Sequence, residues 1–409
     1  SVGRALIKLL DAMALNDTNQ AGMILAYSNL FKALVEAEPT GSLATFLMKR
    51  VLASDNPYSR AKDPTQPTLS NAVLIDIETI QRLASLESEG LREEIRRRYI
   101  VAGKDDFLHL VGHLPLFNSV CEEPIPVVLN TPRSAWRLMF RSLKYALENK
   151  RLVSCIPQLA EFYQKYGTGK WNLSYAYDYR NGALKQIPNL NLPAADAFID
   201  YSGNLSRLKE EVDAFAQHKR RQHVLLTGAQ GTGKSSAIHW ALGQHTADNL
   251  MLISLRKEEL FHLDELFEAL ETCPQQVILF FDDLSFSAID DDYLRLKAYL
   301  EGEVRAVPEH CAIYATSNRR HLVREDDMDE QFRYANDEHN ERLSLVSRFG
   351  LHLHFPQPVQ RDYLAIVEYL FHRANQTPTD KVTQQALQFA KQKGHYTPRT
   401  AQQFLTLWS

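Results

Sequence analysis

His223–Trp240 reads HVLLTGAQGTGKSSAIHW: an apolar run, a glycine-rich turn ending in lysine and two serines, then a helical pattern. A loop that holds a phosphate needs backbone N–H groups curled round an oxyanion, a lysine for the outer phosphates and a hydroxyl for a magnesium ion. All of these must sit at the start of a helix, whose dipole favours negative charge. Gly228, Gly233, Lys234 and Ser235 stand at that spacing, with Gly231, Thr232 and Ser236 as further phosphate contacts. HVLLT supplies the strand before the loop and SSAIHWALGQ the helix after it. The same letters, GTGK, also occur at Gly167–Lys170, but there Gln164 replaces the leading glycine and Trp171 the hydroxyl. Gly167 and Gly169 therefore read as turn glycines.

Outward from the loop, HVLLTG, LMLISL, QVILFFDD, CAIYATSN and LHLHF are short apolar runs separated by helical patterns. This alternation predicts a parallel five-stranded sheet between helices, the strands being buried on both faces. VILFFDD ends in Asp282 and Asp283 roughly fifty residues after the loop, which carries two carboxylates to the edge of the sheet where ligands bind in such folds. Asp282 is expected on the metal and Asp283 on the attacking water. The bland alternative is a pair of helix-capping acids, a task for which Asp290, Asp291 and Asp292 are already at hand. An aspartate at the water position reaches one methylene less far than glutamate, so turnover is expected to be slow.

The chain divides into three expected parts. Residues 1–190 form a mainly α-helical N-terminal recognition domain, 191–356 an α/β nucleotide-binding domain and 357–409 a lid of three helices. Near the first boundary, Trp171–Pro193 is rich in Tyr, Asn, Gly and Pro and reads as a strand or two with a connector. The 409 residues carry 44% hydrophobic side chains and a formal charge of −4, which gives no global pull towards nucleic acid or an anionic membrane. Cys121, Cys155, Cys273 and Cys311 lack any CxxC or metal spacing and fit reduced thiols, so a cytoplasmic protein is expected. Ser1–Leu15 is interrupted by Lys8 and Asp11 and suits an amphipathic helix rather than a signal peptide, and no run approaches the length of a membrane span.

GAQGTGKSS, ILFFDD, YATSNRRH, RLSLVSRFG and TPRTAQQF together resemble the AAA+ ATPases. FFDDLSF, LKAYLEGE, ATSNRRHL and LSLVSRFGL look more narrowly like an uncharacterised bacterial AAA+ family, known only as a domain of unknown function. The resemblance implies ATP and Mg2+ as cofactors and hydrolysis of the β,γ bond. It places Asn318 at sensor 1, Arg348 at the arginine finger that reaches a neighbouring subunit's nucleotide, and Arg399 at sensor 2. Arg319, Arg320 and Arg342 are competing cations. The adenine pocket would lie near Phe198, Ile199 and Tyr201. It also implies a homo-oligomer, a ring or a nucleotide-dependent assembly.

LISLRKEELFHLDELF passes from strand to helix with no room for a typical aromatic pore loop, which is more like the initiator and helicase-loader branch. Leu260 and Phe261 are expected to pack under the sheet. The basic runs HKRRQH and EEIRRRY, at His218–His223 and Glu93–Tyr99, are solvated helix ends or phosphate contacts. His352 and His354 point to one strand face without an evident third metal ligand. The acid-rich stretch 323–341 reads as a mobile loop. The leading expectation is an AAA+ ATPase that drives assembly or remodelling of a partner macromolecule, meeting an unknown protein through its N-terminal domain. Nucleic acid is possible but not indicated, and no membrane is expected. The alternatives are an ATP-gated binding module with little hydrolysis and a DNA-associated helicase-loader or initiator-like protein.

Overall fold

A computed structural model of the chain describes residues 1–17, 21–61, 63–118, 120, 134–172, 174–187, 190–245, 249–286, 291–302, 305–318 and 345–408. They fall into two compact units, one drawn from Ser1–Leu173 and the other from Ser174–Ser409.

The first unit is helical: α1 (Val2–Ala14), α2 (Gly22–Ala37), α3 (Leu43–Leu52), α4 (Pro67–Ala84), α5 (Ser88–Val101), α6 (Leu108–Gly112), α7 (Ser134–Glu148) and α8 (Ile156–Tyr166). Val2, Ala5, Leu6 and Leu9 recur at helical spacing and are buried in one cluster with Met23, Tyr27, Leu30 and Leu34 of α2. A second cluster joins Met48 and Leu52 of α3 to Ile77 of α4, Phe140 and Leu143 of α7 and Leu159 of α8. Ser42 caps α3, its hydroxyl accepting from the Thr45 N–H at 3.1 Å.

The second unit is built on a seven-stranded sheet. Its strands are β1 (Ala176–Arg180), β2 (Ala183–Gln186), β3 (Val224–Gly228), β4 (Leu250–Leu255), β5 (Gln276–Phe281), β6 (Cys311–Ser317) and β7 (Leu351–Phe355), in the order β2-β1-β4-β5-β6-β3-β7. Seven strands correct the expectation of five. The tyrosine-rich stretch after Trp171 contributes β1, parallel to β4, and β2, antiparallel to β1. The other four pairings are all parallel, so β3, β5 and β6 end at the same edge.

Helices α9 (Asn204–Ala216), α10 (Lys234–Gly243), α11 (Leu263–Leu270) and α12 (Asp291–Glu301) flank this sheet. Leu208, Val212 and Phe215 of α9 and Ile238 and Ala241 of α10 share a core cluster with Leu226, Leu252, Phe280 and Tyr314. The chain leaves β3 in one direction along the sheet and returns through β4, β5 and β6 in the other. Right-handed crossovers therefore set α11 and α12 on the face opposite α10. This is the α/β AAA+ core expected, with C-terminal helices α13 (Gln360–Arg373), α14 (Asp380–Lys393) and α15 (Pro398–Trp408) closing on their own cluster of Tyr363, Ile366, Phe371, Ala386 and Phe404.

Candidate nucleotide site

The loop between β3 and α10 lies at the sheet edge where β5 and β6 also end. Gly228 has φ +146°, and a Cβ there would stand 2.1 Å from the Phe355 carbonyl oxygen on β7, so only glycine lets the two strands run this close. Gly231 has φ +81° and faces Thr397 and Arg399 across a gap in which a Cβ would meet Thr397 Oγ1 at 3.3 Å.

Lys234 opens α10 and is 5% exposed. Its Nζ donates to the carbonyls of Gly228 and Ala229 at 2.9 Å each and to Asn318 Oδ1 at 2.8 Å. Burial holds its pKa below the usual lysine value, the Asp283 and Asp282 carboxylates oppose that shift and Arg399 adds to it. Asn318, one residue past β6, donates from Nδ2 to Asp283 Oδ1 at 2.6 Å. Ser235 Oγ donates to Asp282 Oδ1 at 2.5 Å. Lys234, Ser235, Asp282, Asp283 and Asn318, scattered over 85 positions of sequence, are thus joined by hydrogen bonds in one constellation.

A residue that the motifs did not single out ties the constellation together. Thr316, 1% exposed on central β6, donates its hydroxyl to Asp282 Oδ1 at 2.6 Å and accepts the Asp283 N–H at 2.8 Å. The Leu284 N–H meets the Thr316 carbonyl at 2.7 Å. One buried threonine therefore sets both acids. Its only sequence signal is a hydroxyl two places before Asn318, beside Ser317 at the end of the strand. Asp283 has φ +56°, a left-handed backbone that aspartate adopts far more readily than glutamate, which gives a physical reason for the shorter acid here. Ser235 Oγ and the Asp282 carboxylate form an oxygen-only donor pair, and that chemistry fits Mg2+.

Beside the loop lies a cavity of ≈ 310 Å³ bounded by Gly231, Thr232, Gly233 and Ser236 at one end and by Arg399 of α15. Phe198, Ile199 and Tyr201 line it from before α9, and Ile366, Tyr369 and Leu370 line it from α13. The hydroxyls of Tyr201 and Tyr369 are spent on the carbonyls of Pro356 and Asp196, at 3.0 and 2.7 Å, so the rings are left to serve as apolar walls. The α13 residues and Thr397 escaped sequence reading because helical periodicity marks them only as lid core.

Arg348 does not join this cluster among the described contacts. Its Nη2 pairs with Glu301 Oε1 at 2.7 Å. Arg319, Arg320, Arg342 and the acid-rich stretch 323–341 lie outside the described residues, as does Cys121.

In the first GTGK, Thr168 Oγ1 donates to Asp55 at 3.0 Å and the Gly169 N–H to the Ser54 carbonyl at 3.3 Å, which makes it a structural turn. Leu260 is buried as expected, but Phe261 is 63% exposed with the Arg295 guanidinium 4.4 Å from its ring centre. The connection Lys257–His262 is a 3-10 helix in which Glu259 and Leu260 are buried and Phe261 is turned outward, so the expected packing of Phe261 under the sheet is corrected. The arginines of EEIRRRY pair within their own helix: Arg96 with Glu93, Arg97 and Arg98 with Glu94. In HKRRQH, Arg220 pairs with Glu211 and Arg221 donates to the carbonyls of Val307 and Pro308. His352 and His354 both meet the Thr227 hydroxyl, at 2.8 and 3.2 Å. Among the described residues no group of three or more His, Cys, Asp or Glu is arranged for a metal, and no helix is long and apolar enough to cross a membrane.

A mainly parallel sheet with a glycine-rich loop after β3, paired acids after β5 on the far side of β6, and helices at the C-terminal end make up the α/β fold expected of an AAA+ protein. The model of the family described as "Protein of unknown function (DUF815)" matches residues 171–409, more than half of the chain, and the chain belongs to that family. No curated protein matches it. Among solved structures it is similar to a single-residue mutant of Thermotoga maritima RuvB, at 17% identity and TM-score 0.36, over 51% of this chain and 62% of that one. It is also similar to the FIGL-1 AAA domain in complex with ADP, at 18% identity and TM-score 0.31, over 46% and 64% of the two chains. A third is the Aeropyrum pernix ORC1 protein in complex with DNA, at 16% identity and TM-score 0.38, over 50% and 58%. The chain spans less than two thirds of the length of each of these three proteins.

Proposed function

We propose that the protein binds MgATP and hydrolyses its β,γ bond to drive assembly or remodelling of a partner macromolecule. The observation that carries this reading is the Asn318 amide, which accepts from Lys234 Nζ and donates to Asp283, so that the phosphate-reaching cation and the water-orienting acid share one spacer. The backbone N–H groups of Gly231, Thr232 and Gly233 and the Lys234 ammonium hold the phosphates, with Ser236 beside them. Ser235 and Asp282 would hold Mg2+, which would supply positive charge against the charge that develops on the phosphates. Asp283 accepts a proton from the attacking water while Asn318 fixes that water's position. Arg399 reads the γ-phosphate from the lid, and the aromatic walls of the cavity take the base. Arg348 acts on the nucleotide of a neighbouring subunit in a homo-oligomer.

The helical part recognises a protein partner. A polynucleotide is the weaker choice, since the arginines of both basic runs are engaged inside the chain. Lys234→Ala tests the site. At ATP a hundred times its dissociation constant the wild type should gain about 2.7 kcal/mol of stability, and the variant none. A variant stabilised as fully as wild type rejects the phosphate loop.

A further inference from the structure

We propose that Glu301 is a positioning residue for Arg348, and that the pair forms each subunit's reach towards its neighbour's nucleotide. The inference rests on the trans-acting reading of Arg348.

Glu301 is the last residue of α12, which stops at Gly302 with φ +72°. A carboxylate there faces the negative end of the helix dipole, and its side chain is only 10% exposed. Both features disfavour an anion unless a cation is fixed beside it. That cation is Arg348, whose Nη2 lies 2.7 Å from Glu301 Oε1 while its side chain stays 49% exposed.

The backbone that carries Arg348 is anchored on both sides by Leu345 and Phe349, 0% and 4% exposed. Those anchors fix the Cα and leave the long side chain its large rotamer freedom. Glu301 removes much of that freedom. It grips one edge of the guanidinium, and a planar fork held at one edge presents its remaining donors in a defined direction. A finger prepared in this way loses less entropy when it meets a phosphate oxygen in the transition state. Because the arginine end of the pair stays half exposed, solvent screening weakens the pair as a stability device, a small return for an anion held at a helix C-terminus.

The experiment compares full-length wild type, Glu301→Gln, Arg348→Ala and the double variant. It reads kcat and KM for ATP, with mass by light scattering and Tm on the same samples. Glu301→Gln should lower kcat about ten-fold with KM, mass and Tm near wild type, and should change nothing further once Arg348 is alanine. A wild-type kcat in Glu301→Gln beside a depressed kcat in Arg348→Ala overturns the positioning role and leaves the finger standing. An equal loss from Glu301→Gln in the Arg348→Ala background also overturns it. If Arg348→Ala keeps wild-type kcat, the trans-acting reading falls and Glu301 has nothing to position. Should Glu301→Gln fold poorly, Glu301→Asp keeps the charge but shifts the guanidinium. It should then give an intermediate kcat that disappears as an effect in the Arg348→Ala background, and persistence there overturns the proposal.

Discussion

Thr316 contributes one oxygen to two acids. Its hydroxyl proton goes to Asp282 and its lone pair takes the Asp283 N–H, so removing it loosens the expected metal ligand and the left-handed turn that aims the water-orienting acid. Thr316→Val keeps the shape and loses the oxygen. A hydrogen bond to a charged group contributes about 1.5–3 kcal/mol, so kcat should fall about ten- to a hundred-fold while ATP still binds, and Thr316→Ser should restore most of it. Steady-state kinetics across Mg2+ concentrations check this, and equal rates in Val and wild type would remove Thr316 from the site. The grouping of Lys234, Ser235, Asp282 and Asp283 was legible because the phosphate and metal chemistry proposed for them requires particular residues at particular spacings. Thr316 was not legible, since a threonine in a β-strand is ordinary on propensity grounds. The left-handed backbone at Asp283 was equally hidden, because side-chain identity alone does not fix φ.

Among the elements, β3 to β6 were legible as apolar runs, since burial on both faces leaves little room for polar residues, and edge strand β7 by its alternation of apolar residues with exposed histidines. β1 was harder to read because Asp178 and Arg180 interrupt its Tyr177 and Tyr179, and β2 because its residues remain largely exposed. Phe261 was misread because an apolar residue type carries no direction, and only the 3-10 turn decides which neighbour faces inward. The junction of β3 and β6 carries a prediction of its own. His223, just before β3, accepts the Ile313 N–H of β6 on Nδ1 at 3.0 Å, and burial lowers its pKa to about 4. The native imidazole is therefore neutral across the interval where the unfolded one gains a proton. His223 contributes its full stability above pH 6.5, and that contribution is lost as pH falls from there towards 4. His223→Asn retains an acceptor that does not titrate there. The wild type should lose stability over this interval more steeply than the variant, by at most about 1.4 kcal/mol per pH unit. Urea titrations at several pH values check it, and parallel slopes would show that His223 does not titrate as described.

For the molecule as a whole, the order β4-β5-β6-β3-β7 brings the loop, the acids and Asn318 to one edge, and the lid adds Arg399 beside the same cavity. Strand order could not be read from the chain, because every buried parallel strand looks alike in sequence. Arg348 stands apart from this assembly of groups, held by Glu301. In the function proposed above it serves the next subunit's nucleotide, which makes the active site a property of the oligomer. The most direct test is ATP turnover per subunit against protein concentration, with light-scattering mass measured on the same samples. Turnover that rises together with mass, and that is lost in Arg348→Ala at unchanged mass, is the predicted result. Turnover that stays constant per subunit while the protein remains a monomer would contradict it.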